Sequence, residues 1–542
     1  MLKLCIIALC IIATSILSGN LFYAAFAFVE LFLILNASQL IAAKYKKAAY
    51  IFNLFFSIIL LLQQASLLFT GGYVSVIMLE NLGEYNALGA SILKYAISVL
   101  LVVCVAALPH KIPFKLLNKK LFWSVFAIFI LSSTVVYKFS AKQYQPCFSF
   151  ATTTFSYYKG KILHSYYEYQ YKNASLEKIF EAFYKKEIAK SNFEISQSLD
   201  EKPNVIVIFT EGMSAEVIDK LNNLNLNLTP NLNLFYENSL VFDNYYNHTA
   251  ATYRSLRGQL FSSHQYLGGY YDTNDGFAQI SKDTLMKRTT TKIVSMIDIL
   301  NENGYSTFFI NCENKKSAHC NYLETFRCTN VISGKSEKYA LSDREAFALL
   351  ADTMVKLPQP FFCGFYNLGT HTGFDSPDVK YKNGKNHNFN KFHNFDKWFG
   401  EFFEKFKNSA LAKNTILIFT ADHCAFQATE YLSAFDIKQQ FFVNTMPLMI
   451  YGNGIEHQII DAKGRNSLDF APTILDILKL NNHENYFLGS SLFIPDNDNL
   501  HRTTAIGDLF FLTANDTIID ISKKNNENIS KIKMYYKISV KN

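Results

Sequence analysis

Nearly all the long apolar runs of this chain fall before about residue 140. A helix of about 20 apolar residues can cross the ~30 Å hydrocarbon core of a bilayer. Five stretches approach that length, at roughly 4–18, 21–42, 49–70, 91–108 and 121–138. The first, within MLKLCIIALCIIATSILSG, has the basic start and small-residue end of a signal peptide. Four more apolar runs follow it, so it reads as a retained helix. The expectation is a five-helix transmembrane bundle over residues 1–140.

Loop charges orient that bundle. Lys3, the cluster Lys44, Lys46 and Lys47, and the group Lys111, Lys115, Lys119 and Lys120 fall on alternate sides of the spans. The other loops, around 19–20 and 71–90, carry no Lys or Arg. Positive residues concentrate on the cytoplasmic side, so the N-terminus is expected inside and everything after about residue 139 outside. Trp123, Tyr137 and Tyr144 fall where interfacial aromatics belong. Residues 141–200 read as a juxtamembrane linker. Within it the amphipathic run from Leu176 to Lys190 suits either a membrane surface or the outer domain.

The net charge of +7 comes from scattered lysines, without the dense basic block interleaved with aromatics that marks a nucleic-acid groove. Nucleic acid is therefore excluded as a partner. Of nine cysteines, six fall in the outer part: Cys147, Cys312, Cys320, Cys328, Cys363 and Cys424. An oxidising compartment permits disulfides there, with plain burial as the alternative. The spacing of Cys312, Cys320 and Cys328 is not that of a zinc knuckle.

From residue 201 the pattern changes to an α/β alternation that runs to residue 542. PNVIVIFTEGMS, FFCGFYNLGTHTG and NTILIFTADHC are short apolar strands, with helical text such as KIVSMIDILNENG and FHNFDKWFGEFFEKFKNS between them. Buried strands alternating with helices predict a mostly parallel sheet flanked by helices. Such sheets bind ligands at the carboxyl ends of their strands. Here three strands end in Glu211, in His371 and in Asp422-His423.

Carboxylates with one imidazole suit a single divalent cation, Mn²⁺ or Zn²⁺, with Mg²⁺ also compatible. HTAATYRSLRGQL, from His248 to Leu260, supplies hydroxyls that a cation can activate as nucleophiles. Thr249 and Thr252 are the rivals for that role.

The ordered series NVIVIFTEGMS, LTPNLNLFYENSLVFDNYYNHTAATYRSLRGQLFS, NFDKWFGEFF…NTILIFTADH, TMPLMIYGNGI, SLDFAPTILDIL and FLGSSLF resembles the sulfatase-like part of the alkaline-phosphatase superfamily. Within it the lipoteichoic acid synthase (phosphoglycerol transferase) family is most similar, and the lipid A phosphoethanolamine transferases come second. Both carry five N-terminal spans and an external catalytic domain.

The resemblance implies that Glu211, Asp422 and His423 are metal ligands, that Thr252 is both nucleophile and ligand, and that His371 contacts the substrate phosphate or leaving group. Arg254, Arg257 and His248 are implied as phosphate contacts. The synthases usually carry His-Gly-Asn near residue 311, where this chain reads FFINCENKKSAHC, so Asn311, His319 or neither takes that role. The phosphoethanolamine enzymes show Gly-Glu-Thr where this chain has Thr210-Glu211-Gly212, and a Pro-Cys pair where it has Leu256-Arg257-Gly258.

The implied activity is transfer of a phospholipid-derived phosphoglycerol-type head group to an envelope glycan, lipid or protein through a phospho-threonine intermediate. The implied setting is a bacterial inner membrane, with the catalytic domain on the periplasmic side. Phosphoethanolamine transfer is the nearest alternative. A sulfuric-ester or phosphodiester hydrolase is another, and Thr252-Tyr253-Arg254-Ser255-Leu256 lacks both the convertible Cys or Ser and the proline of formylglycine sulfatases. A non-catalytic membrane scaffold would be betrayed by a missing ligand, and each ligand position is filled.

Overall fold

The computed structural model describes residues 2–75, 78–79, 92–109, 117–139, 143–173, 175–195, 202–222, 224–265, 282–289, 292–334, 339–437, 441–496, 498–514, 517–522 and 527–539. Lys111, Lys115 and residues 80–91, which enter the loop-charge assignment, lie outside these, as do 196–201 of the linker. The chain forms two compact units, Met1–Ile162 with Gln427–Gln440, and Leu163–Phe426 with Phe441–Asn542.

In the first unit the apolar runs form helices α1 (Leu2–Leu17), α2 (Phe22–Ala42), α3 (Lys46–Thr70), α4 (Ile92–Ala107) and α5 (Lys119–Phe139). Of the described helices, α2, α3 and α5 are long and apolar enough to cross a membrane. Three of the five expected spans thus meet this measure among the described residues, and the other two are shorter apolar helices. Helices α1 and α4 have 16 residues each, which at 1.5 Å per residue reaches only about 24 Å.

The bundle is apolar on its outside: Leu9, Leu100, Ile128 and Leu131 are each more than 60% exposed. Its interior holds Ile7, Ile11, Leu35 and Leu60 together with buried polar groups. Among these, the Lys3 ammonium donates to Asn53 Oδ1 and to the Ala106 carbonyl, both at 2.7 Å. Glu30 accepts from the Cys147 and Phe148 amides at 2.5 and 3.0 Å, capping α6 (Pro146–Asn173). Apolar side chains outside and hydrogen-bonded charged groups such as Lys3 and Glu30 inside are what a lipid-facing bundle requires.

The second unit is built on an eight-stranded sheet of β1 (Asn204–Thr210), β2 (Leu240–Asp243), β3 (Ser306–Asn314), β4 (Asn330–Gly334), β5 (Phe361–Tyr366), β6 (Thr415–Ala421), β7 (Leu448–Tyr451) and β8 (Gln458–Asp461). Their order is β4-β3-β5-β1-β6-β7-β2-β8. The sheet is mixed: β7 runs antiparallel to β6 and β2, and the other neighbours pair in parallel. Every residue of β1, β5 and β6 is buried, the pattern of central strands covered on both faces. Strands β9 (Thr503–Ile506), β10 (Leu509–Ala514) and β11 (Thr517–Asp520) form a separate antiparallel sheet.

Helices cover the main sheet. After α7 (Leu176–Phe183) and α8 (Pro230–Glu237) come α9 (Thr252–Phe261), α10 (Lys282–Thr289), α11 (Met296–Glu302), α12 (Ala318–Glu324), α13 (Asp343–Met354) and α14 (His387–Lys407). In α14, Phe392, Phe395, Phe399, Phe402, Phe403 and Phe406 are buried. This is a helical stripe that meets Phe235, Phe347 and Phe419 of neighbouring elements. Each such ring contributes roughly 1.5–3 kcal/mol by burial.

Only Leu176–Phe183 of the amphipathic linker run is helical. Phe180 and Phe183 stack on Tyr486 and Tyr535, and the Lys185 amide donates to the Asn485 carbonyl. That run therefore packs on the outer domain. All nine cysteines are free thiols.

Candidate metal centre and nucleophile

Strand β1 lies between β5 and β6, with Phe209 opposite Tyr366 and Thr210 opposite Ala421. This register sets the carboxyl ends of three strands side by side, so the residues that follow them meet above the sheet. The turn after β1 needs Gly212 at φ +52, a conformation that costs glycine nothing. Its amide donates to Asp422 Oδ1 at 2.8 Å, joining the ends of β1 and β6.

Glu211, Asp422 and His423 are buried and offer ligand atoms that all lie within 4.8 Å of one another. His423 Nδ1 lies 2.7 Å from the Cys424 carbonyl. A carbonyl only accepts, so Nδ1 carries the proton and Nε2 presents a lone pair. That lone pair lies 3.6 Å from Glu211 Oε1 and 3.3 Å from Asp422 Oδ2, and Asp422 Oδ2 is buried without a hydrogen-bond donor. Electron-rich atoms converging in a dry site fit a cation.

The carboxyl groups divide their charge accordingly. Burial pushes Glu211 up, but electrostatic attraction to the His423 and His371 rings and hydrogen bonds from Tyr366 and Thr252 override it and hold the group at about 2. Burial and the Glu211 charge push Asp422 well above the usual carboxylate range. A divalent cation would let both ionise together.

Thr252 opens α9, and its hydroxyl donates to Glu211 Oε2 at 2.9 Å and lies 3.5 Å from His423 Nε2. It is only partly buried, so a substrate can reach it. The first amides of α9 and the helix dipole favour an anion at this point. The preceding residue, Ala251, is held at φ +71 and ψ 144, strain of about 1–3 kcal/mol for a residue with a side chain. Gln259 fixes α9 by donating to the Ala421 and Asp422 carbonyls at 3.0 and 2.8 Å. Thr249 is buried, its hydroxyl without a hydrogen-bond partner and its carbonyl accepting from Asn247.

A layer behind the ligands holds Glu211 from several sides. Tyr366 donates its hydroxyl to Glu211 Oε2. Thr370 donates to the Glu211 carbonyl at 2.6 Å, and the Glu211 amide reaches Asn367 Oδ1 at 3.4 Å. Asn367 in turn donates to Asp343 at 3.1 Å. These residues were not singled out from sequence. Their signal was present in YNLGT at the end of β5, beside the His371 that was.

The remaining sequence candidates divide. His371 is partly exposed, its Nδ1 lies 2.8 Å from the Thr372 carbonyl, and its charge acts on Glu211. Asn311 is buried at the end of β3, in register with Tyr366, with its amide nitrogen unpartnered. His319 packs its ring 4.6 Å from Tyr366 and 5.3 Å from Tyr253, with both nitrogens lacking a hydrogen bond.

Arg254, Arg257 and His248 serve the packing of α9 in this structure. Arg254 is 5% exposed and donates to the Ala250 carbonyl. Arg257 is 2% exposed and lies 4.0 Å over the Phe261 ring. His248 is fully buried, with Nδ1 2.6 Å from Ser467 Oγ. Arginines four positions apart from an aromatic pack as readily as they bind phosphate, and sequence alone does not separate the two.

The family model described as Sulfatase matches residues 203–480, just over half of the chain. Lipoteichoic acid synthase 2 of Bacillus subtilis (strain 168) is 21% identical over 338 residues, covering 56% of this chain and 50% of that protein. The chain thus spans about half the length of the curated relatives it matches. Among solved structures, the lipoteichoic acid synthase LtaP from Listeria monocytogenes is 15% identical with a TM-score of 0.48, covering 67% of this chain and 96% of that one. The C-terminal periplasmic domain of EcEptC from Escherichia coli is 14% identical with a TM-score of 0.41, covering 62% and 97%.

Proposed function

The chain belongs to the sulfatase family, and on that premise we propose that it is a membrane-bound, metal-dependent phosphotransferase with Thr252 as its nucleophile. The group moved is a phosphoglycerol-type head group of a membrane phospholipid, and the acceptor is a hydroxyl on an envelope glycan, lipid or protein. The site faces the outside of a bacterial inner membrane. The observation that carries the reading is the Thr252 hydroxyl at 2.9 Å from Glu211 and 3.5 Å from His423, at the start of a helix.

Glu211, Asp422, His423 and Thr252 would hold one divalent cation, Mn²⁺ or Zn²⁺, with Mg²⁺ also suited. Such an ion supplies Lewis acidity and lowers the pKa of the hydroxyl beside it. Glu211 orients the threonine by accepting its hydrogen bond. Once its proton has passed to solvent, Thr252 Oγ1 forms a bond to phosphorus while the bond from phosphorus to the diacylglycerol oxygen breaks. His371 delivers a proton to that departing oxygen. The acceptor hydroxyl then attacks the phospho-threonine, loses its proton to His371, and Thr252 is regenerated. The amides of α9 and its dipole stabilise the charge that develops on phosphorus oxygens.

Sulfate-ester hydrolysis by formylglycine is excluded by the residue itself, since threonine is not converted to that aldehyde. The kinship in name with lipoteichoic acid synthases supports a phosphoglycerol group over phosphoethanolamine. Incubation of the purified full-length protein with head-group-labelled phosphatidylglycerol and phosphatidylethanolamine tests both points. Label trapped on the wild type from phosphatidylglycerol and absent from Thr252→Ala is the expected result. Equal labelling of both proteins would sink the nucleophile assignment, and trapping from phosphatidylethanolamine alone would transfer the head-group assignment to the amine.

A further inference from the structure

Lys391 is a buried cation that the chemistry above does not use. It sits in the second turn of α14 and is 3% exposed. Its ammonium makes one long hydrogen bond, 3.5 Å to the carbonyl of His371. Among the described residues no carboxylate lies within 4.0 Å of its nitrogen, and its nearest aromatic face is that of Phe392, at 4.9 Å. An ammonium carries three donors, so most of its hydrogen-bonding capacity is unspent. Burying a charge with neither counter-ion nor full hydrogen bonding costs several kcal/mol.

The surroundings say which counter-charge belongs there. The carbonyl it touches belongs to His371, next to Thr370, whose hydroxyl donates to the Glu211 carbonyl at 2.6 Å, and the carboxylate that attracts it is Glu211. Burial holds the lysine at about 8, with Glu211 pulling it back up, so it remains largely protonated at neutral pH. The segment before α14 is fixed to the helix beside Lys391, because the Tyr381 amide donates to Asn390 Oδ1 at 3.0 Å and Asn390 donates to the Gly384 carbonyl at 2.8 Å. The lysine is therefore held in place beside the site.

We propose that Lys391 is an anion-recognising residue of this site, its ammonium pairing with a non-bridging oxygen of the phosphoryl group that Thr252 attacks. The ligand class is a phosphate mono- or diester, and the contact is a charge-assisted hydrogen bond formed when substrate enters. The role is distinct from that of His371, which moves a proton: Lys391 holds the anion and gives up none. The inference rests on the phosphotransferase reading of the centre.

Binding of inorganic phosphate to the full-length, Mn²⁺-loaded protein tests it, by calorimetry on wild type, Lys391→Met, Lys391→Gln and Lys391→Arg, with metal content and melting temperature measured alongside. Expected are an affinity about 10-fold or more weaker in the methionine and glutamine variants at unchanged metal content, and recovery to within about 3-fold in the arginine variant, as a charge-assisted contact demands. Phosphate affinity within about 2-fold of wild type in either neutral variant overturns the proposal. Should the methionine variant fail to fold, the glutamine and arginine pair decides, since a structural role would not be rescued by charge alone. A metal-loaded wild type that binds no phosphate and releases no labelled head group would overturn the phosphotransferase reading instead.

Discussion

Thr252 and Glu211 are 41 residues apart in sequence, yet the threonine hydroxyl donates to the glutamate at 2.9 Å. The contact exists because β1 ends where α9 begins, with His423 lying 3.5 Å from the same hydroxyl. Thr252→Ala should therefore abolish head-group release, by about 10⁶-fold as for another lost nucleophile. Thr252→Ser should retain a measurable fraction. Turnover of a labelled phospholipid in detergent micelles reads both, and an alanine variant that turns over normally would refute the role.

Chelation should remove activity and stability together. The free site gathers Glu211, Asp422 and His423 lone pairs with no counter-charge, so loss of the ion leaves repelling groups buried. At an ion concentration 100 times its dissociation constant, binding stabilises the fold by about 2.7 kcal/mol. A melting curve with and without EDTA checks this, and Asp422→Asn should show the chelated behaviour at any metal concentration.

Tyr366→Phe should weaken the metal without removing a ligand. Its hydroxyl donates to Glu211 Oε2, the oxygen that also accepts from Thr252. Loss of an outer-shell partner typically lowers metal affinity 10- to 100-fold, roughly. Competition with a metal-binding dye measures the loss, while the head-group specificity should stay as in the wild type.

Acid should destabilise the outer domain. His248, His264 and His319 are buried, and burial lowers all three, His264 and His319 to about 3 and His248 well below its usual value. A histidine depressed in the folded state binds its proton only after unfolding, so the unfolded chain holds more protons between about pH 6.5 and 3. The stability these groups contribute is present above pH 6.5 and is lost as pH falls through that window. Each contributes a slope of up to about 1.4 kcal/mol per pH unit. Denaturant midpoints at pH 7, 6 and 5 should fall in order, and His264→Gln should flatten the slope by about one proton.

Ala251→Gly should raise stability and lower activity. Alanine at φ +71 stores strain at the first turn of α9. Relief of about 1–3 kcal/mol, less about 0.5–1 kcal/mol for the extra freedom of unfolded glycine, leaves a gain near 1 kcal/mol. The same freedom loosens Thr252, so head-group release should slow in a protein that unfolds at higher denaturant.

Much of this protein was legible in its letters. The apolar runs before residue 140 set helices at their expected places, because hydrophobic length is a local property. Helix ends are less local, and the described parts of α1 and α4 have 16 residues each. The strand-end acids Glu211 and Asp422 were also legible, since parallel sheets place ligands at those ends whatever the strand order. Tertiary structure alone decided the neighbours. The order β5-β1-β6 brings Tyr366, Glu211 and Asp422 together, and that order depends on pairings between residues more than a hundred positions apart. It also buried Arg254 and Arg257 along α9 and put Lys391 beside His371. A side chain's charge is written in the sequence, but what it faces is fixed only when distant elements pack.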